Sequence, residues 1–233
     1  MQGVTASPVP ASRRLPDAST LRLAVLGGTG PQGRGLARRF ALAGHSVVLG
    51  SRNAEKAQEV AAGLSDAGDV RGADNAAATA EADVVVVAVP YDGHAELLTS
   101  LREALAGRIV VDCVNPLGFD SSGAYVLDVP EGSAAQQAAV LLPDSRVIAA
   151  FHHVSAVLLE DPAVEEVGTD VLVLGDDREA CDLVQALAGR VAGMRGVYAG
   201  RLRNARQIEG LTANLISVNR RYKAHAGLRV TDV

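Results

Sequence analysis

Twenty residues near the start of the chain, LRLAVLGGTGPQGRGLARRF (21–40), pass from an apolar run through a glycine-rich turn into a basic, helix-like pattern. A strand that feeds Gly28-Thr29-Gly30-Pro31-Gln32-Gly33 and then opens a helix is the arrangement of a dinucleotide-binding unit. The first glycine permits the tight turn and the second lets backbone approach a pyrophosphate. The third allows the helix to pack closely, and the helix N-terminus offers its unpaired N–H groups to the anion. A glycine-rich structural turn is the competing reading, and the turn's place between strand and helix favours the nucleotide.

The rest of the chain repeats the same alternation. SVVLGS (46–51), DVVVVAVP (83–90), RIVVDCVN (108–115) and RVIAAFHH (146–153) are short, rich in β-branched residues and bounded by Gly, Pro, Asp or Asn. Continuous apolar runs of this kind suit strands covered on both faces. Helix-like segments lie between them at 33–43, 54–64 and 93–106, and 70–72 adds a short strand before a helix at 75–81. The expectation is an α/β fold, a Rossmann-type doubly wound parallel sheet spanning 21–155. Residues 156–233 read as a smaller C-terminal α/β-helical domain, built from DVLVLGDD (170–177), a helix at 179–192, a short run at 196–199 and a last helix. In that helix Ile208, Leu211, Leu215, Val218 and Tyr222 fall at spacings of 3, 4, 3 and 4, which is one apolar face. It either closes the core or pairs with a second subunit.

The second strand bears on the choice of cofactor. An NAD site usually carries an acidic residue about 20 positions beyond the turn, for the ribose 2′-hydroxyl. Here the strand ends Gly50-Ser51-Arg52-Asn53, with Lys56 one helical turn on and no carboxylate at the strand end. Ser51, Arg52 and Lys56 can bond and neutralise a 2′-phosphate, which points to NADP. A solvated helix start explains Lys56 equally well but explains the Ser-Arg pair less well.

In such a fold ligands lie at the carboxyl ends of the strands. Those exits read Val89-Pro90-Tyr91-Asp92-Gly93-His94, Cys113-Val114-Asn115-Pro116-Leu117 and Phe151-His152-His153-Val154-Ser155-Ala156. Pro90 and Pro116 either line a pocket with backbone or merely stop strands. His45 precedes the second strand and reads as structural. His94 and the His152-His153 pair face the expected cleft, though each alone is as readily a satisfied core histidine. No Ser-His-Asp order, HExxH or metal-ligand spacing occurs, so hydrolysis and metal catalysis have no support.

A net charge of −5 over 233 residues gives no reason to expect nucleic acid or an anionic membrane as partner. Cys113 and Cys181 have no CxxC spacing and read as reduced core thiols, which makes a cytoplasmic location the default. No apolar run approaches the length of a membrane span. Residues 1–20, rich in Pro, Ala and Ser, read as a disordered tail.

The opening LAVLGGTGPQGRGLARRFALAGHSVVLGSRNAEKA, with VVVVAVPYDGH, AFHHVSA and LRNARQIEGLTANLISVNRRYKAHAGL, resembles the F420-dependent NADP oxidoreductases over 21–230. The resemblance implies two redox cofactors, NADP(H) and coenzyme F420, a homodimer, and reversible hydride transfer between nicotinamide and deazaflavin. It implies that Thr29 to Gln32 hold the pyrophosphate and that Ser51, Arg52 and Lys56 hold the 2′-phosphate. Pro90, Tyr91, His94, Asn115 and Ala156 would then lie near the nicotinamide. His152, Val154, Ala226, Gly227 and Leu228 would line the deazaflavin pocket, with His152 bonding its ring. The chain departs from the archaeal pattern at Tyr91, where Trp is common, at the extra Gly93, and in HHVSA for a His-Thr-Ile-Pro-Ala type. The anionic F420 tail would meet the basic excess of 201–229, which also suits the solvated face of a helix. Two rivals remain: an NADPH-dependent reductase of a small imine or keto acid, and an NADP(H)-sensing protein without catalysis.

Overall fold

The computed structural model describes residues 14–233. Ten strands and nine α-helices alternate along the described chain: β1 (Arg22–Leu26), α1 (Pro31–Leu42), β2 (Ser46–Ser51), α2 (Ala54–Ala62), β3 (Val70–Asp74), α3 (Asn75–Ala80), β4 (Val84–Val87), α4 (His94–Ser100), α5 (Arg102–Leu105) and β5 (Ile109–Asp112). Then come β6 (Leu117–Asp120), β7 (Gly123–Val126), α6 (Ala134–Leu141), β8 (Arg146–Ala149), α7 (Ala156–Glu160), β9 (Asp170–Gly175), α8 (Arg178–Ala188), β10 (Arg195–Gly200) and α9 (Ala205–Tyr222). Eight strands form one sheet in the order β10-β9-β8-β5-β4-β1-β2-β3, while β6 and β7 make a separate antiparallel hairpin.

The apolar runs are continuous because both faces of the sheet are covered. Along β1, Leu23 and Val25 point into one core cluster, with Leu36 and Phe40 of α1. Ala24 and Leu26 point into the other, with Ala78 of α3, Leu98 of α4 and Ala138 of α6. All four residues of β4, Val84 to Val87, are buried. Burying a Val, Leu or Phe side chain stabilises a fold by roughly 1.5–3 kcal/mol, so a valine run at the centre of the sheet is a strong reason for its position.

Residues 156–233 do not form a sheet of their own. β9 joins the edge of β8, β10 joins β9, and Val171, Val173, Val184 and Leu187 enter the same core cluster as β1. The β8–β9 pairing is antiparallel, the single reversal in the sheet. A parallel neighbour needs a crossover that carries the chain back over the sheet. Here 156–169 holds only the five-residue α7, and the buried Arg39 of α1 pins it by donating to the carbonyls of Leu158, Leu159, Asp161 and Val164. The chain therefore starts β9 at the edge where β8 ended.

Other differences are local. The helix expected over 93–106 is broken at Leu101 into α4 and α5. The hairpin turns at Asp120-Ser121-Ser122-Gly123, where the Asp120 carboxylate accepts from the N–H groups of Ser122 and Gly123. For the tail expected over 1–20, residues 1–13 lie outside the described residues, whereas Ala18 is 2% exposed and packs in the core. The packed chain thus begins before Leu21. Among the described residues no helix is long and apolar enough to cross a membrane.

Candidate active site

The turn between β1 and α1 is shaped by glycines. Gly27 takes φ +76°, and a Cβ there would stand 2.6 Å from the Ala88 carbonyl oxygen. The left-handed residue is thus Gly27, one position before the glycine expected to permit the turn; Gly28 instead makes room for Leu49 and the Val25 carbonyl. A Cβ on Gly33 would fall 2.6 Å from the Gly27 oxygen and 2.9 Å from the Gly28 Cα, so only a hydrogen fits between helix and turn. α1 has no side-chain cap at Gly30 and begins with Pro31, which has no N–H. The amides of Gln32 and Gly33 therefore remain free at the positive end of the helix dipole, beside Thr29.

The end of β2 lies beside this turn, the Gly28 N–H reaching the Gly50 oxygen at 3.3 Å. Ser51 accepts from the Asn53 amide at 3.2 Å, and Asn53 caps α2 by accepting from the Lys56 amide at 3.0 Å. Arg52 and Lys56 are exposed, and neither forms an ion pair among the described residues. Two unpaired cations beside a helix start are groups that can bond a phosphate dianion.

A cavity of about 600 Å³ opens from the turn along the carboxyl edge of the sheet. Its lining takes Gly30, Pro31 and Gln32 from the turn, Pro90 and Tyr91 after β4, Asn115 after β5, and His152, Val154 and Ala156 after β8. These are predicted site residues that the fold brings together. Ala226 also lines the cavity, held by its N–H to Asn219 Oδ1 at 2.6 Å. Gly227 and Leu228 do not. They turn away to β9, where the Leu228 N–H meets Thr169 Oγ1 at 3.0 Å and the Leu228 oxygen accepts from the Asp170 N–H at 2.8 Å.

His94 also departs from expectation. It is fully buried behind the wall, with Nε2 2.6 Å from Asp112 Oδ2 and Nδ1 3.1 Å from Gln137 Oε1. Burial alone would pull the imidazole down, but the Asp112 carboxylate and the bonds to Asp112 and Gln137 outweigh it, holding it above its ordinary value. It contacts the cavity only through its neighbours.

The His152 side chain is different. It is 3% exposed, it lines the cavity, and neither ring nitrogen has a protein hydrogen-bond partner. Burial pulls its pKa down to about 4, so the ring is neutral at pH 7, with one N–H donor and one acceptor unsatisfied. Its backbone is fixed: the His152 oxygen accepts from Asn115 Nδ2 at 2.8 Å and Thr212 Oγ1 at 3.1 Å. The preceding Phe151 is buried at φ +63°, and its oxygen accepts from Gln32 Nε2 at 3.2 Å. A bulky residue held left-handed in a core is strain that the surrounding bonds must maintain. His153, also neutral with its pKa lowered by burial to about 4, accepts from the Leu172 amide at 3.4 Å.

Sequence reasoning missed one whole wall. Leu117 and Phe119 of the hairpin and Thr212, Leu215, Ile216 and Asn219 of α9 line the cavity. The Asp-Ser-Ser-Gly turn was the available signal for the hairpin. In α9 the expected apolar stripe splits. Ile208 packs on the core and Leu215 lines the cavity, while Tyr222 is 73% exposed. The deeply buried positions are Ala205, Glu209 and Ala213. Glu209 accepts the Ala134 and Ala135 amides at 2.9 and 3.0 Å, and burial raises its carboxyl to about 7. Among the described residues no group of three or more His, Cys, Asp or Glu is placed to hold a metal.

Comparison with known proteins identifies a family. Residues 22–116 match the family model described as NADP oxidoreductase, coenzyme F420-dependent. The chain is 41% identical over 223 residues to the F420-dependent NADP reductase of Methanothermobacter marburgensis, covering 91% of this chain and 99% of that protein. The Methanocaldococcus jannaschii protein of the same name is 36% identical, with 91% of this chain and 99% of that one covered. A crystal structure of a candidate F420-dependent NADP-reductase from Arthrobacter sp. FB24 superposes with a TM-score of 0.75 at 28% identity, over 91% of this chain and 99% of that one. A 41% identity running the full length of a relative, over a cavity with one end in the dinucleotide turn, leaves a single assignment: the chain belongs to the F420-dependent NADP reductase family.

Proposed function

We propose that the protein catalyses reversible hydride transfer between NADP(H) and coenzyme F420. The observation that carries this reading is one cavity lined both by the turn that opens α1 and by His152, whose ring has no partner. It fits two flat ligands facing each other. The nicotinamide supplies or takes the hydride at C4 and the deazaflavin at C5, so the protein needs no nucleophile.

The residues have separable duties. Gly28 to Gly33 hold the pyrophosphate, and Ser51, Arg52 and Lys56 hold the 2′-phosphate. Pro90, Tyr91, Asn115 and Ala156 confine the nicotinamide. Val154, Ala226, Leu215 and Ile216 exclude water around the deazaflavin, which strengthens every polar contact inside. His152 offers a donor or an acceptor to the deazaflavin ring.

The basic end of α9 supports a site for the anionic tail of F420. Arg220, Arg221 and Lys223 are exposed and form no ion pair among the described residues, and the helix turn they follow presents Asn219 to the cavity. A KM for F420 that rises steeply with salt, and does so less in Arg220→Gln/Arg221→Gln, is the expected result. The exposed apolar Val218 and Tyr222 of α9, with Tyr125 of the hairpin, fit a homodimer contact, for which sedimentation should give twice the chain mass.

The deciding assay mixes purified protein, NADPH and F420 and follows the deazaflavin absorbance. Bleaching is expected. Tight NADPH binding with no bleaching would abandon the reading for reduction of an imine or for NADP(H) sensing. A Bacillus cereus imine reductase shares the fold at 21% identity and a TM-score of 0.59, which speaks only to architecture.

A further inference from the structure

We propose that His94 is a positioning residue, held as a buried imidazolium that fixes both Tyr91 and the exit of β5 against the cavity. The protonation state follows from which atoms can donate. Gln137 Nε2 donates to Glu131 Oε2 at 3.2 Å, because a carboxylate only accepts. That contact fixes the amide, so its oxygen Oε1 faces His94 Nδ1 at 3.1 Å. An amide oxygen also only accepts, and Nδ1 therefore carries a proton. Nε2 lies 2.6 Å from the Asp112 carboxylate and donates to it, so both ring nitrogens are protonated.

The groups facing this ring agree in sign. Asp112 lies on β5 and Glu209 on α9, both acidic, and Glu131, on the loop before α6, reaches the ring only through Gln137. The Tyr91 ring lies beside it, tilted by 30° with 6.2 Å between ring centroids, and His152 brings no competing charge.

The cation holds two sides of the cavity together. Asp112 Oδ1 accepts from the Val114 amide at 3.0 Å, turning the backbone so that Cys113, Val114 and Asn115 line the cavity. Asn115 in turn holds the His152 oxygen. On the other side Gln137 is hydrogen-bonded to the Tyr91 hydroxyl. His94 thus reaches both ligands' wall without touching either ligand. Removing one member of a buried ion pair leaves the other charge uncompensated, whereas removing both restores neutrality.

The kinetic readout of this inference rests on the hydride-transfer reading; its spectroscopic readout does not. In protein labelled with ¹⁵N-histidine, the His94 nitrogens, assigned by their absence in His94→Gln, should both show imidazolium shifts at pH 8, where His152 and His153 are neutral. A neutral His94 at pH 8 overturns the proposal. In steady-state assays His94→Gln and Asp112→Asn should each lower kcat about tenfold or more while the NADPH dissociation constant moves less than about twofold, and the double variant should regain most of the loss. A double variant no better than the worse single, or NADPH binding lost in step with kcat, also overturns it. If the wild type fails to reduce F420, hydride transfer is wrong, and the NMR result alone decides His94. If His94→Gln does not fold, the double variant supplies the assignment by difference.

Discussion

The turn at 27–33 offers backbone to the cavity, while the facing wall offers side chains that other side chains hold in place. The turn is compact: seven consecutive residues, three positions where only hydrogen fits, and a helix start whose amides are already free. The wall gathers residues far apart in sequence, Tyr91, Asn115, His152 and Thr212, through a chain of hydrogen bonds. The backbone site needs only β1, α1 and β2 together with the exit of β4, whose Ala88 carbonyl closes on Gly27. A side-chain site is fixed only when the whole sheet and α9 are in place.

That contrast sets the order of expected effects. Gly33→Val drives carbon into the Gly27 oxygen and should weaken NADPH by about 100-fold or more, equivalent to about 2.7 kcal/mol, in a fluorescence titration. If F420 affinity fell as far, the two regions would not be independent. Arg52→Asp replaces a phosphate partner with a repelling charge and should weaken NADPH by roughly 30-fold while leaving NADH within about twofold. Equal losses for both nucleotides would remove the NADP assignment.

The acid response should expose the wall and spare the turn. His152 and His153 have folded pKa values near 4, below the usual 6.5, so the unfolded chain binds more protons between those limits. Stability should therefore fall as pH drops from about 6.5 to about 4, by up to about 3 kcal/mol for each ring. His94, raised instead, contributes stability that is fully present below about 6.5 and lost as pH climbs through its folded value. Melting curves at pH 7 and 4.5 test this, and His152→Asn should flatten the difference. The smallest effect is expected from His152→Ala, about tenfold in the KM for F420 with NADPH affinity unchanged, reflecting one lost hydrogen bond of about 1.4 kcal/mol. An unchanged KM would remove His152 from the deazaflavin site.

The same contrast explains what the sequence made legible. The turn, the strand runs and the cationic end of β2 were readable because each is a short stretch whose residues act on their neighbours. Pro90, Tyr91, Asn115, His152, Val154 and Ala156 were readable as strand exits, because a doubly wound sheet places such exits on one edge. His94 was misplaced because an exit residue three positions past Tyr91 rotates inward with the first turn of α4, and its partner Asp112 is 18 residues away. Gly227 and Leu228 were misplaced because their partner, Thr169, immediately precedes β9, a strand whose direction no periodicity reveals. Glu209 lay beside the apolar stripe with no role read for it, since nothing local announces that two amides of α6 await its carboxylate.

The reversal at β9 has a consequence for where the molecule tolerates change. Because β9 runs against β8, and β10 follows β9, their carboxyl ends open on the rim opposite the cavity. The Asp176-Asp177 turn and the stretch around Arg201 therefore lie on the rim away from the cavity. From that rim the 18 residues of α9, about 27 Å of helix, cross back to deliver Thr212, Leu215 and Asn219. A peptide tag or a fluorescent reporter grafted at 176–177 would sit on the quiet side of the enzyme, whereas lengthening α9 by even one residue would rotate every cavity contact it carries by about 100°.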